Sequence, residues 1–197
     1  MKIGVLAVQG AFIEHEHIIE KIGHEVVEIR QRKDLDGIDG IILPGGESTV
    51  QGQLLRKLDM LATIKSLIAD GLPTLATCAG LILLAGHIDN DDSVHIGTLP
   101  VTVKRNAYGR QLGSFVRTAP MKGFDEFPMI FIRAPYISSI KDNVDVLAAV
   151  NDRIVAVQYN NQIGLAFHPE LSGDTRIHEY FICLLYTSPS PRDLSTS

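Results

Sequence analysis

The chain has 197 residues, 45% hydrophobic and 21% charged, with a formal net charge of -5. That balance describes a globular domain long enough to bury a core without staples. It removes the electrostatic case for nucleic acid, no apolar run reaches the roughly 18–20 residues that cross a bilayer, and two cysteines make no disulfide framework.

The first ten residues, MKIGVLAVQG, read as a buried strand rather than a signal peptide. A reduced, cytoplasmic protein is therefore expected. In chain order, residues 2–8 (KIGVLAV) are too continuously apolar for a half-exposed strand and predict one covered on both faces. Phe12, Ile18, Ile19 and Ile22 form a stripe ending at Gly23, which predicts a helix. Residues 25–30 (EVVEIR) and 37–43 (GIDGIIL) predict two further strands. Val50, Leu54, Leu55 and Leu58 predict a helix that continues through Leu61, Ile64, Leu67 and Ile68 to Gly71. Residues 73–77 (PTLAT) predict a strand. This alternation implies an α/β fold: three layers, doubly wound, a mostly parallel sheet with helices on both faces.

The middle of the chain changes character. Residues 99–104, 114–118, 129–133 and 146–150 predict short strands joined by turns. Residues 154–159 and 162–167 predict a late antiparallel hairpin turning at Asn160-Asn161. Asp174 is placed to cap a last helix carrying Ile177, Tyr180 and Phe181. No repeat or linker divides the chain. The end, LLYTSPSPRDLSTS, is rich in Ser, Thr and Pro, and part of it resembles translated adaptor or vector sequence. The expected organisation is one domain over 1–182 and a non-native, disordered tail over 183–197.

In open α/β sheets, ligands bind beyond the carboxyl ends of the strands. Residues there are Gln9-Gly10, Gly45-Gly46-Glu47-Ser48, Cys78 and His168-Pro169-Glu170. Cys78 stands where a strand runs into a helix, among the small residues Ala76, Ala79 and Gly80. That is the logic of a nucleophile elbow, with free helical N–H groups that favour thiolate. A free cysteine packed as a small hydrophobe explains the tetrapeptide equally well. Pro169 favours extended geometry at His168, so His168 and Glu170 can face one way, with Glu170 orienting the ring. His168 is then the base for Cys78. Gly45-Gly46 lets backbone approach a ligand, and the N–H groups at Gly46 and Ala79 are candidates for an oxyanion hole. An ordinary turn, with Glu47 or Ser48 serving the helix N-terminus, is compatible with that role.

Glu14-His15-Glu16-His17 offers no metal site, because i and i+2 do not share a helix face; a solvated surface is expected. Asp89-Asn90-Asp91-Asp92 lacks the Gly and distal Glu of a calcium loop and reads as a hydrated turn. No metal or cofactor is expected. Arg105, Arg110 and Arg133 matter only if a substrate carboxylate must be held.

LPGGES (43–48), TCAGLILLAG (77–86), RNAYGRQLGSF (105–115), FIRAP (131–135) and AFHPEL (166–171) occur in this order. From Met1 to about Ile182 the chain resembles the glutaminase subunits of pyridoxal 5'-phosphate synthase, a family of class I, triad-type glutamine amidotransferases. The resemblance implies Cys78 as nucleophile, His168 as general base and Glu170 as its orienting acid. It implies that Gly46, Glu47, Ser48, Arg105, Ile132 and Arg133 line an L-glutamine site. The reaction it implies is glutamine plus water giving glutamate and ammonia through a glutamyl thioester. The ammonia would pass to a barrel-shaped synthase subunit in a hetero-oligomer, with no nucleic-acid or membrane partner. Gating by that partner would act through the Gly45-Gly46 peptide, with Gln9 and Gly45 holding the loop or meeting the partner. The sequence departs from the family at Ala76, where Gly is common before Thr-Cys, and at its C-terminus. A stand-alone cysteine hydrolase and a non-catalytic redox sensor using Cys78 remain the rival readings.

Overall fold

The computed structural model describes residues 1–105 and 113–187. The elements in order are β1 (Lys2–Leu6), α1 (Phe12–Lys21), β2 (Glu25–Ile29), a 3-10 turn (Arg32–Leu35), β3 (Gly40–Leu43), α2 (Ser48–Lys57), α3 (Leu61–Ala69), β4 (Thr74–Thr77) and α4 (Ala79–Leu84). There follow β5 (Ala85–Ile88), β6 (Leu99–Lys104), β7 (Ser114–Met121), β8 (Phe124–Ile132), β9 (Tyr136–Ile140), β10 (Asp145–Val150), β11 (Arg153–Tyr159) and β12 (Gln162–Leu165). A second 3-10 turn (Pro169–Leu171) and α5 (Arg176–Thr187) close the described chain.

The main sheet runs β2-β1-β3-β4-β12-β11-β9-β6-β5, with β10 paired to β11. From β2 to β12 every pairing is parallel; β12-β11, β11-β9 and β9-β6 are antiparallel. The expected mostly parallel α/β architecture and the late hairpin are therefore present. Every residue of β3, β4 and β12 is buried. Successive side chains of a strand point to opposite faces, so helices must cover both sides. That is why these strands read as unbroken apolar runs, while β2, at the sheet edge, keeps two exposed glutamates.

Several expectations need correction. The long helix predicted through Gly71 is two helices, broken where Asp59 takes φ 56. Its predicted stripe is also displaced: Val50 and Leu58 are exposed, while Ser48, Gln51, Gly52 and Leu55 face inward. The helix turns its polar side toward the glycine loop because that loop leaves backbone carbonyls to be satisfied. β7 and β8 are longer than expected and form a sheet of their own. β5 and β9 were not expected. The chain stays helical to Thr187, so residues 183–187 of the supposed tail continue α5, with Leu185 in the core beside Phe181 and Ile182. Asp174 lies one residue further from the helix than a cap, and its carboxylate accepts the Arg176 N–H at 3.0 Å.

Candidate active site

The parallel neighbours β1, β3, β4 and β12 end on one rim. Cys78 follows β4 directly and is held at φ 50, ψ -103, a conformation that costs an L-residue about 1–3 kcal/mol. Its N–H donates to the Leu165 carbonyl at 2.8 Å, tying the turn to the end of β12. Gly80 makes the turn possible, because a Cβ there would land on the Leu43 carbonyl. Ala76 lies inside β4, paired with Leu43 and Gly164, and has no positive φ. The departure from the family pattern at that position is therefore free of strain.

His168 leaves β12 and is anchored by its own N–H donating to the Ile130 carbonyl at 2.8 Å. Glu170 does not continue an extended chain, as expected, but lies in the 3-10 turn begun by Pro169. The turn still brings the two side chains together: His168 Nδ1 donates to Glu170 Oε1 at 2.6 Å, with the carboxylate fully buried. The other ring nitrogen is left for the Cys78 sulfur, which lines the same cavity as the ring. Burial opposes a charge on His168. Hydrogen bonds to Cys78 and Glu170 and the charges of both outweigh it and raise its pKa to about 10. The ring is thus held as an imidazolium beside the sulfur, the pairing that makes a cysteine nucleophilic.

The glycine loop passes beneath this pair. A Cβ on Gly45 would sit on the His168 ring, so only glycine lets β3 lead so close to it. The Gly45 carbonyl accepts the Ala11 N–H at 3.0 Å. Gln9 Oε1 accepts the Glu47 N–H at 2.9 Å. The Gln51 side chain donates to the carbonyls of Gln9 and Pro44 at 3.1 and 3.2 Å. Neither Glu47 nor Ser48 caps α2 with its side chain; Glu47 is the N-cap residue by position only.

A cavity of about 500 Å³ opens over the pair, lined by Gln9, Gly45, Gly46, Glu47, Ser48, Cys78, Ala79, Arg105, Ile132, Arg133 and His168 among others. Every residue predicted for the site is therefore gathered there except Glu170, which lies behind His168 rather than on the wall. The Cys78 thiol points toward the Ile132 carbonyl at 4.0 Å. Arg133, with φ 44, donates its N–H to the Gly113 carbonyl at 2.6 Å. Arg105 Nη1 meets Thr49 Oγ1 at 3.3 Å and Asp91 Oδ2 at 3.7 Å, so the acidic turn is partly a partner for this arginine. Its Nε and Nη2 are buried without an acceptor among the described residues. Of RNAYGRQLGSF, residues 106–112 (Arg110 included) lie outside the described residues.

Sequence reasoning missed His15, expected on a solvated surface. It is fully buried and stands behind Glu170, with Nε2 at 3.5 Å from Oε2. The signal was available: Phe12, His15, Ile19 and Ile22 share one helical stripe. Gln51 and His178 were missed as well, because polar residues facing inward carry no hydrophobic periodicity.

The sequence profile of the SNO glutamine amidotransferase family matches residues 5–186. A protein of Desulfitobacterium hafniense (strain DSM 10664 / DCB-2) named pyridoxal 5'-phosphate synthase subunit PdxT is 58% identical over 183 residues, 92% of each chain. One of the same name from Streptococcus pneumoniae (strain ATCC 700669 / Spain 23F-1) is 52% identical, over 92% of this chain and 96% of that one. A crystal structure described as a glutamine amidotransferase superposes with a TM-score of 0.89 at 38% identity, covering 93% of this chain and 98% of the other. The profile and these relatives match the chain almost end to end, and this protein belongs to the SNO glutamine amidotransferase family.

Proposed function

We propose that this chain hydrolyses L-glutamine to L-glutamate and ammonia, as the glutaminase subunit that supplies ammonia to a pyridoxal 5'-phosphate synthase subunit. The observation that carries the reading is the hydrogen-bonded pair of His168 and buried Glu170 set beside Cys78 on its strained elbow at one cavity. The Cys78 thiolate attacks the side-chain amide carbon. N–H groups of Gly46 and Ala79 take the developing oxyanion, each worth about 3 kcal/mol when well aimed. His168 gives its proton to the departing nitrogen, which leaves as ammonia, and a glutamyl thioester remains on Cys78. His168 then takes a proton from water, the hydroxide adds to the thioester, and the thiolate is expelled with glutamate. Glu170 keeps the ring in the required tautomer and stabilises the imidazolium throughout. Arg105 and Arg133 bind the α-carboxylate, Glu47 the α-ammonium group, and Ser48 and Ile132 complete the wall.

Gating belongs to the same reading. Gln9, Gln51 and Ala11 hold the glycine loop in one arrangement, and docking of the synthase subunit re-aims the Gly45-Gly46 peptide toward the oxyanion. The test uses a glutamine-mimicking alkylator followed by mass spectrometry. An adduct on Cys78, blocked by glutamine, together with loss of ammonia release in Cys78→Ala, is the expected result. Full activity in Cys78→Ala overturns the reading.

A further inference from the structure

Behind Glu170 lies a buried polar chain that the proposed reaction does not use. His15 comes from α1 and His178 from α5, and both are fully buried. His15 Nδ1 stands 2.8 Å from His178 Nε2. His15 Nε2 stands 3.3 Å from Thr77 Oγ1 and 3.5 Å from Glu170 Oε2. Glu170 Oε1 is engaged by His168, while Oε2 has no full hydrogen bond among the described residues.

Proton counting assigns the tautomers. If His178 Nε2–H donates to His15 Nδ1, the His15 proton sits on Nε2 and faces Thr77 and Glu170. The remaining His178 Nδ1, which has no partner among the described residues, is then a bare acceptor. In the reverse arrangement that nitrogen would carry a buried proton with no acceptor, and His15 Nε2 would set a lone pair against the carboxylate. A buried orphan donor and an acceptor-acceptor contact are both costly, so the first arrangement wins. Both rings stay neutral. Burial, then the charges of His178 and His168, push the His15 pKa well below its usual value, and burial takes His178 down to about 4.

We propose that His15, oriented by His178, is a positioning residue for Glu170: its Nε2–H holds the Oε2 edge of the carboxylate so that Oε1 stays on His168 Nδ1. This rests on the glutaminase reading of Cys78, His168 and Glu170. A carboxylate held at one oxygen can rotate away from the ring it orients, whereas one held at both edges keeps its plane. The neutrality of His15 matters too. A cation there would compete with the His168 imidazolium for the same negative charge, while a neutral N–H steadies the carboxylate without drawing it off. The titratable groups facing His15 are His178 from α5 and His168 and Glu170 from the segment after β12; Thr77 of β4 is its neutral neighbour.

The first test needs no substitution. Nitrogen-15 NMR of the histidine-labelled full chain reads which ring nitrogens carry protons. Protonated Nε2 on both His15 and His178, with neither ring titrating between about pH 6 and 8, is expected; His15 protonated on Nδ1, or charged, overturns the proposal. The second compares variants in the presence of the synthase subunit. His15→Phe keeps the ring volume and loses the N–H. Its kcat should fall about tenfold, as for loss of outer partners at other sites, with KM held. His15→Gln places an amide N–H near the lost Nε2 and should recover most of the kcat. No loss in His15→Phe, equal loss in both variants, or a loss carried by KM rather than kcat overturns the proposal. If His15→Phe does not fold, the NMR result and His15→Gln decide. Failure of the glutaminase reading shows separately, as an active Cys78→Ala.

Discussion

The floor of the cavity comes from the parallel half of the main sheet, and its rim from β6 in the antiparallel half and from β8 in the separate two-stranded sheet. Cys78, His168 and the glycine pair stand at the ends of β4, β12 and β3, adjacent parallel strands buried at every residue. Arg105, Ile132 and Arg133 come from the ends of β6 and β8, reached through antiparallel pairings, and Ile132 is 38% exposed. The floor is braced by short backbone bonds, such as Cys78 to Leu165 and His168 to Ile130. The rim combines one such backbone bond, Arg133 to Gly113, with side-chain contacts of Arg105 to Thr49 and Asp91. Bond-making needs reacting atoms fixed to fractions of an ångström, whereas gripping the charged end of a substrate tolerates more play. The fold assigns the two tasks to different strands accordingly.

Substitutions on either side sharpen that contrast. The largest effect is expected from Gly45→Ala, whose Cβ would displace the His168 ring from the sulfur. Misplacement on that scale costs about 100-fold, and steady-state kinetics should show it in kcat with little change in KM. A rim change should do the reverse. Arg105→Gln removes a charge-assisted contact, and KM for glutamine should rise about tenfold while kcat stays within about twofold. Equal effects on kcat and KM from both variants would erase the distinction between floor and rim.

A different observable, stability, separates the buried histidines. His168 has a folded pKa of about 10 against 6.5. The folded state therefore holds the extra proton between those values, and stability from this group, complete below pH 6.5, is lost as pH rises toward 10. His178 works the other way. Its folded pKa of about 4 means the unfolded chain binds more protons between 4 and 6.5, so stability falls as pH drops through that window. Urea titrations across pH should show both slopes. Glu170→Gln should flatten the alkaline one and His178→Phe the acid one; unchanged slopes would contradict the assignments.

Floor and rim also differed in how far the sequence exposed them. β1, β3, β4 and β12 were legible because strands covered on both faces must be apolar throughout, and the small residues around Cys78 and Gly45 marked where the chain had to turn. The family motifs brought in Arg105, Ile132 and Arg133, which residue chemistry alone treated as scattered. β5 and β9 escaped notice because short strands far along the sheet mix exposed and buried positions. The break at Asp59 was hidden by an apolar pattern that resumes in nearly the same phase. His15 was hidden by its acidic neighbours, although its own position on α1 faces the core.

Gln51 has a mechanical meaning beyond its hydrogen bonds. One amide nitrogen grips the carbonyls of Gln9 and Pro44, so a single residue of α2 is yoked to the exits of β1 and β3 together. The opening turn of that helix carries Glu47, Thr49 and Val50 outward into solvent. It is therefore a handle: a pull on its outer side is delivered to two strand exits in one stroke, without bending the sheet between them.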